Sequence, residues 1–117
     1  MKILADVLVG LVALLHVYIL VLEMFLWRTP RARAAFGTTE AFAAESATLA
    51  ANQGLYNGFL AAGLVWGLVA DNRGAMIFFA ACVVVAGVYG GLTANRRILL
   101  VQALPGALAL LAVLAAG

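Results

Sequence analysis

Four runs of apolar residues, separated by short stretches that hold most of the charge, govern what this 117-residue chain can fold into. They extend from Ile3 to Trp27, Leu49 to Ala70, Ala75 to Leu92 and Ile98 to Gly117. Each has the length, about 17 to 25 residues, that carries an α-helix across the hydrocarbon core of a bilayer. In lipid the backbone must bond to itself, which leaves helices or closed barrels, and the runs lack the two-residue alternation of barrel strands. The sequence therefore predicts a single all-α integral membrane domain over residues 1–117. Its form is a four-transmembrane-helix bundle in up-down-up-down order, with helices at approximately 3–27, 49–70, 75–94 and 98–116.

Composition agrees: two thirds of the residues are hydrophobic, a tenth are charged, and the mean hydropathy is +1.13, outside the range of soluble domains. Seven Lys and Arg against five Asp and Glu make nucleic-acid binding a poor reading. The run beginning at Ile3 is too long for a signal-peptide core and is followed by Arg28, Arg31 and Arg33, a stop-transfer flank. Those three arginines, with Arg96 and Arg97, outnumber Lys2 and Arg73 on the opposite side. By the positive-inside rule loops 28–48 and 95–97 are cytoplasmic, the termini face outward, and the protein is a multi-pass protein of the inner cell membrane.

Pro30 is expected to close the first span, "DNRG" at Asp71 to Gly74 to form a tight turn, and "NRR" at Asn95 to Arg97 to make the last connection. The segment "TTEAFAAESAT", Thr38 to Thr48, reads as an interfacial helix or an early start of the second span. Pro105 is expected to kink the fourth helix and to free the carbonyl of Val101.

Polar residues inside the runs are the functional signal. Glu23 lies near the end of helix 1, Asn52, Gln53, Tyr56 and Asn57 in the first turns of helix 2, Tyr89 and Thr93 near the end of helix 3, and Gln102 one turn into helix 4. In an up-down-up-down bundle all of them fall in one half of the membrane. At 100° per residue, with Asn52 at zero, Tyr56 lies at about 40°, Gln53 at about 100° and Asn57 at about 140°. Ala50, Gly54, Gly58 and Ala62 fall between about 160° and 280°, a small-residue ladder of the GxxxG kind. The reading is a polar face and a separate close-packing face, with a second ladder in "GVYGG", Gly87 to Gly91. Surplus ladders favour a homodimer. His16 and Glu23 are seven residues apart, within about 20° on one face and roughly 10 Å apart along the axis.

Uneventful roles compete with these. Glu23 could snorkel to the interface or pair with Arg28, the amides could be interhelical glue, and His16 a satisfied structural residue. Trp27 and Trp66 suit interface belts, and Cys82 a packing role. A lone histidine without a cysteine cluster supplies too few ligands for a metal centre, so none is assigned. His16 could be an axial haem ligand, but no pairing motif accompanies it, and no cofactor is identified. Ser46 has no positioned base nearby, and there is no phosphate-binding loop or dinucleotide fingerprint.

The stretches "LEMFLW", "NQGLYNG", "YGGLT" and "ILLVQALPGALAL" together resemble the domain-of-unknown-function 1304 family of small bacterial membrane proteins, over nearly the whole chain. The resemblance implies four membrane helices and no established activity, and its motif positions correspond to Glu23, Asn52, Gln53, Tyr56, Asn57, Tyr89, Thr93 and Gln102. The chain departs from that pattern at Leu15, where relatives often carry Glu before the histidine, and at Ala103 and Gly106.

Three functions remain open at this level. The first is binding or transport of a small ligand or proton in a polar intramembrane pocket, formed by His16, Glu23, Asn52, Gln53, Tyr56, Asn57, Tyr89, Thr93 and Gln102, with Glu23 titrating. The second is a membrane-embedded, isomerase-like enzyme acting on a lipid or isoprenoid, with His16 and Glu23 as acid and base. The third is a structural or assembly subunit. Membrane lipid is the expected partner in each, beside a small-molecule or lipid ligand in the first two.

Overall fold

The computed structural model describes residues 1–117 and is all-helical. Five α-helices, α1 (Lys2–Met24), α2 (Pro30–Phe36), α3 (Glu40–Val69), α4 (Arg73–Thr93) and α5 (Leu104–Ala116), are joined by a π-helical segment, Leu99–Ala103, that runs directly into α5. Three helical stretches are long and apolar enough to cross a membrane: Lys2–Met24, Arg73–Thr93 and Leu99–Ala116, with mean hydropathies of 2.4, 2.2 and 2.2. Helix α3 has ample length at 30 residues. It is less apolar, because Asn52, Gln53, Tyr56 and Asn57 sit among its hydrophobic residues. The fold is therefore of the membrane-protein kind, with three helices apolar enough to cross a bilayer and a fourth long helix of mixed character.

Several boundaries differ from those the sequence suggests. The first helix ends at Met24 rather than Trp27, since the amides of Phe25 and Leu26 both donate to Val21 O, at 3.0 and 3.1 Å, and the helical pattern stops there. Pro30 does not merely close a span. It occupies the first turn of α2, where its missing N–H costs nothing, and the Thr29 side chain caps that turn by accepting from Ala32 N at 3.4 Å. Gly37, at φ +69°, ends α2 in the left-handed conformation. Thr39 then accepts from Phe42 N at 3.1 Å, and Glu40 suits the positive end of the next helix. The "TTEAFAAESAT" segment is accordingly the beginning of α3, continuous with the second apolar run.

The chain divides into two compact units, Met1–Leu14 with Leu60–Gly117, and Leu15–Phe59. In the first, Ala5, Val9 and Val12 of α1 join Leu64 of α3, Met76, Ala80 and Val83 of α4, and Ala109 and Val113 of α5 in one buried cluster. Asp71, at φ +49°, makes the tight turn between α3 and α4, and Asn72 caps α4 by accepting from Ala75 N at 3.0 Å. Lys2 reaches Asp71 at 2.6 Å and Asp6 at 3.2 Å. Helices α4 and α5 run antiparallel with backbones in close approach. A Cβ on Gly87 would lie 2.8 Å from Ala103 N, one on Gly106 would lie 2.7 Å from Val83 Cγ1, and Arg73 donates to Leu114 O at 3.2 Å.

Pro105 acts by widening a turn. Leu104 N donates to Leu99 O, five residues back, within the π-helical segment. Pro105 has no N–H for the Val101 carbonyl and its ring would crowd that group, so a wider turn at this point relieves the conflict. The same region turns Gln102 so that its Nε2 donates to Val83 O at 3.3 Å.

In the second unit the lower part of α1 packs against the first half of α3. A Cβ on Gly54 would lie 2.7 Å from Met24 Cγ and 3.3 Å from Leu20 O, and one on Gly58 would lie 2.6 Å from Leu20 Cδ1. Gly54 and Gly58 are thus filled from within the chain, as Gly87 is in the first unit, so these glycines are not the surplus surfaces that favoured a homodimer. The Trp27 and Phe36 rings pack at a 56° tilt with centroids 4.9 Å apart, and Trp27 Nε1 donates to Ser46 Oγ at 3.0 Å, which anchors α2 and its flanking turns to α3.

Candidate functional site

The site is built from the end of α1. Glu23 is only 7% exposed, because it follows Leu22 on the side of α1 that faces α3. Its neighbour there is Gly54, whose missing side chain lets the two backbones approach and brings Asn57, one turn further along α3, over the carboxyl group. Asn57 Nδ2 donates to Glu23 Oε1 at 2.6 Å, a short bond between side chains 34 residues apart. Asn57 is itself 7% exposed.

This pairing revises the division of α3 into a polar and a packing face. Asn57 lies about 140° from Asn52 but only about 60° from Gly54, so it belongs angularly with the glycines. Ala43, Ala50 and Gly54 are buried on the same side, whereas Asn52, Gln53 and Tyr56 are exposed. Tyr56 packs edge-on against Phe59 at 5.8 Å and makes no bond to Glu23. Within the second unit, then, Glu23 and Asn57 are brought together, and the other three polar residues of "NQGLYNG" point to the surface. His16 is fully buried, two turns before Glu23 on the same helix.

The remaining candidates belong to the first unit. Thr93 Oγ1 donates to Tyr89 O at 2.6 Å along its own helix, while the Tyr89 ring is exposed. Gln102 is engaged with Val83 O, as described above.

Beside Glu23 an open depression of about 330 Å³ extends over the turn between α1 and α2. Met24, Phe25, Trp27 and Ala47 form its apolar walls, and Glu23, Arg28 and Thr29 supply the polar groups. The ion pairs of the chain are those of Lys2 with Asp6 and Asp71. Glu23 and Arg28 therefore line one depression without forming an ion pair. The bond from Asn57 to Oε1 is the side-chain hydrogen bond that holds the Glu23 carboxyl group, and the same residue lines the depression. Of these lining residues, sequence reasoning assigned only Glu23 to the site. It read Arg28 as an orientation signal or an ion-pair partner of Glu23, a pairing the structure does not make, and Trp27 as a belt residue. The usable signal was their position directly after Glu23, at a helix end where the chain turns back on itself.

Residues 10–114 match the family described as Protein of unknown function (DUF1304). The chain belongs to the DUF1304 family. A curated relative, the uncharacterized protein YpaA of Lactococcus lactis subsp. lactis (strain IL1403), is 34% identical over 118 residues and covers 97% of both chains. No solved structure matches the chain. The DUF1304 match includes Glu23, Asn57, Gly54 and the lining turn from Met24 to Thr29, so the whole site lies within the family region.

Proposed function

We propose that this DUF1304 protein binds or transports a small ligand or proton at the Glu23–Asn57 site. In this reading α3 is the fourth membrane span of an up-down-up-down bundle, and the Arg-rich segments 28–48 and 95–97 lie on the cytoplasmic side of the inner membrane. The depression then opens toward the cytoplasm. The observation that supports the reading is a buried carboxyl group, bonded to protein through one oxygen by Asn57, on a residue that lines a 330 Å³ depression. A carboxyl group near the membrane boundary is costly unless it is bonded or neutral. A purely structural residue would gain by engaging both oxygens.

Glu23 is the exchanging group in this reading, and Asn57 orients it. Arg28 and Thr29 meet the ligand at the mouth, and Trp27 forms a wall. His16 does not line the depression, so the geometry does not favour acid–base catalysis by His16 and Glu23 on one substrate.

Trp27 supplies the test. In a Trp66→Phe background its emission should change with pH in the parent and stay flat in Glu23→Gln, which keeps shape and an acceptor oxygen but cannot titrate. Reconstituted in vesicles, the parent should dissipate an imposed pH gradient faster than Glu23→Gln. Identical emission curves and identical fluxes would exclude Glu23 as the exchanging group. Cysteine labelling in a Cys82→Ser background tests the topology, with position 38 expected to be accessible from the cytoplasm and position 1 from outside.

A further inference from the structure

We propose that the depression beside Glu23 is a headgroup site for a zwitterionic phospholipid of the phosphatidylethanolamine type, with the primary ammonium on Glu23 and the phosphate on Arg28 and Thr29. This inference deepens the reading above and rests on it, since it names the class of ligand that the same site takes.

Charge is the first argument. One depression is lined by a carboxylate and a guanidinium that form no ion pair. A simple cation would match Glu23 and be repelled by Arg28, and a simple anion would have the opposite difficulty. A ligand with both charges a few bonds apart satisfies the pair together.

Donor count is the second. A further bond to the Glu23 carboxylate needs an N–H, which an ammonium supplies and a trimethylammonium does not. Arg28 presents a planar fork suited to phosphate oxygens, and the Thr29 hydroxyl, whose one proton goes to Leu26 O at 2.6 Å, would turn from that carbonyl to join it. The third argument concerns the source of the headgroup. The depression is walled by Met24, Trp27 and Phe25, and Phe25 is 71% exposed at the end of an apolar span. An exposed aromatic ring at that position suits contact with acyl chains, and tryptophan suits the headgroup level. A volume of 330 Å³ is at the small end for ligand pockets and suits a headgroup with its chains left outside.

The full chain, stripped of lipid by detergent exchange, is titrated with phosphatidylethanolamine, phosphatidylcholine and phosphatidylglycerol of identical short acyl chains, and bound lipid is counted by native mass spectrometry. Phosphatidylethanolamine should bind about tenfold more tightly than either of the others, the value of one hydrogen bond to a charged group. Glu23→Gln should bring it down to the level that phosphatidylcholine shows on the same variant, since no carboxylate then distinguishes the two headgroups. Arg28→Gln, at an exposed turn residue, should weaken all three.

Equal affinity for the three lipids, or a preference that survives Glu23→Gln in a variant with the parent's helical content, overturns the proposal. A preference for phosphatidylglycerol also overturns it and makes the arginines a generic anionic-lipid patch. Glycerophosphoethanolamine that binds as tightly as the lipid would move the source to a soluble zwitterion and refute the lipid assignment. The comparison of lipids on the parent chain and the Arg28→Gln series decide the matter even if Glu23→Gln does not fold. If headgroup selectivity is absent while Trp27 still responds to pH through Glu23, this inference falls and the function proposed above stands.

Discussion

Replacing Asn57 by Ala removes the one protein donor to Glu23, and the structure allows the cost to be worked out. The bond is 2.6 Å long, and both partners are 7% exposed, so water replaces the lost donor poorly. A buried acceptor left without its partner costs about 1 to 3 kcal/mol in water-soluble proteins. Inside membranes the mean is about 0.6 and the maximum about 1.7 kcal/mol, because the unfolded chain in lipid also finds partners. A 2.6 Å bond between two side chains this deeply buried belongs toward the upper end, so we expect about 1 to 1.5 kcal/mol. The single substitution also empties some volume, and a double-mutant cycle with Glu23→Ala removes that part. Alanine at position 23 keeps the Cβ that packs near Gly54. Unfolding in mixed micelles, followed by Trp27 emission in the Trp66→Phe background, gives the four stabilities. A coupling below about 0.5 kcal/mol, within the additivity expected of independent sites, would refute the view that this hydrogen bond organises the site.

Three further outcomes follow from particular contacts. Gly54→Ala should destabilise by about 1 to 2 kcal/mol, because its Cβ would meet Met24, Glu23 and a backbone oxygen of Leu20, and the helix-propensity gain of about 0.5 to 1 kcal/mol offsets only part of the overpacking; denaturant midpoints of the two proteins give the difference. Gly37→Ala should cost about 1 kcal/mol in the same assay, since φ +69° is left-handed even though the space around it is open. Lys2→Met should leave the melting temperature unchanged, because its ion pairs with Asp6 and Asp71 are exposed to solvent.

The sequence by itself determined that the chain is helical and membrane-bound, since long apolar runs leave the backbone no partner but itself. It also marked the breaks near Asp71 and Asn95, where polar residues interrupt the apolar runs, although the first is narrower than "DNRG" suggests, because Asn72 caps α4 and Arg73 and Gly74 already lie in its first turn. Glu23 stood out for the same reason, as a carboxyl group in a run that otherwise offers it no solvation. Local chemistry settled those points, and each was legible in a few neighbouring residues. Tertiary structure decided the remainder. Pro30 reads alike as the end of one helix or the start of another, and only the cap by Thr29 and the closure at Gly37 make it a start. Pro105 and Gln102 gain their meaning from Val83 and Gly87 on a neighbouring helix, which fix how tightly that turn can wind. The partner of Glu23 depended on the rotation of α3 about its own axis. Four polar residues spread over about 140° of that helix left two faces open to choice. The glycines resolved it, because the side with least bulk permits the closest approach to α1, and of the four only Asn57 lies beside them.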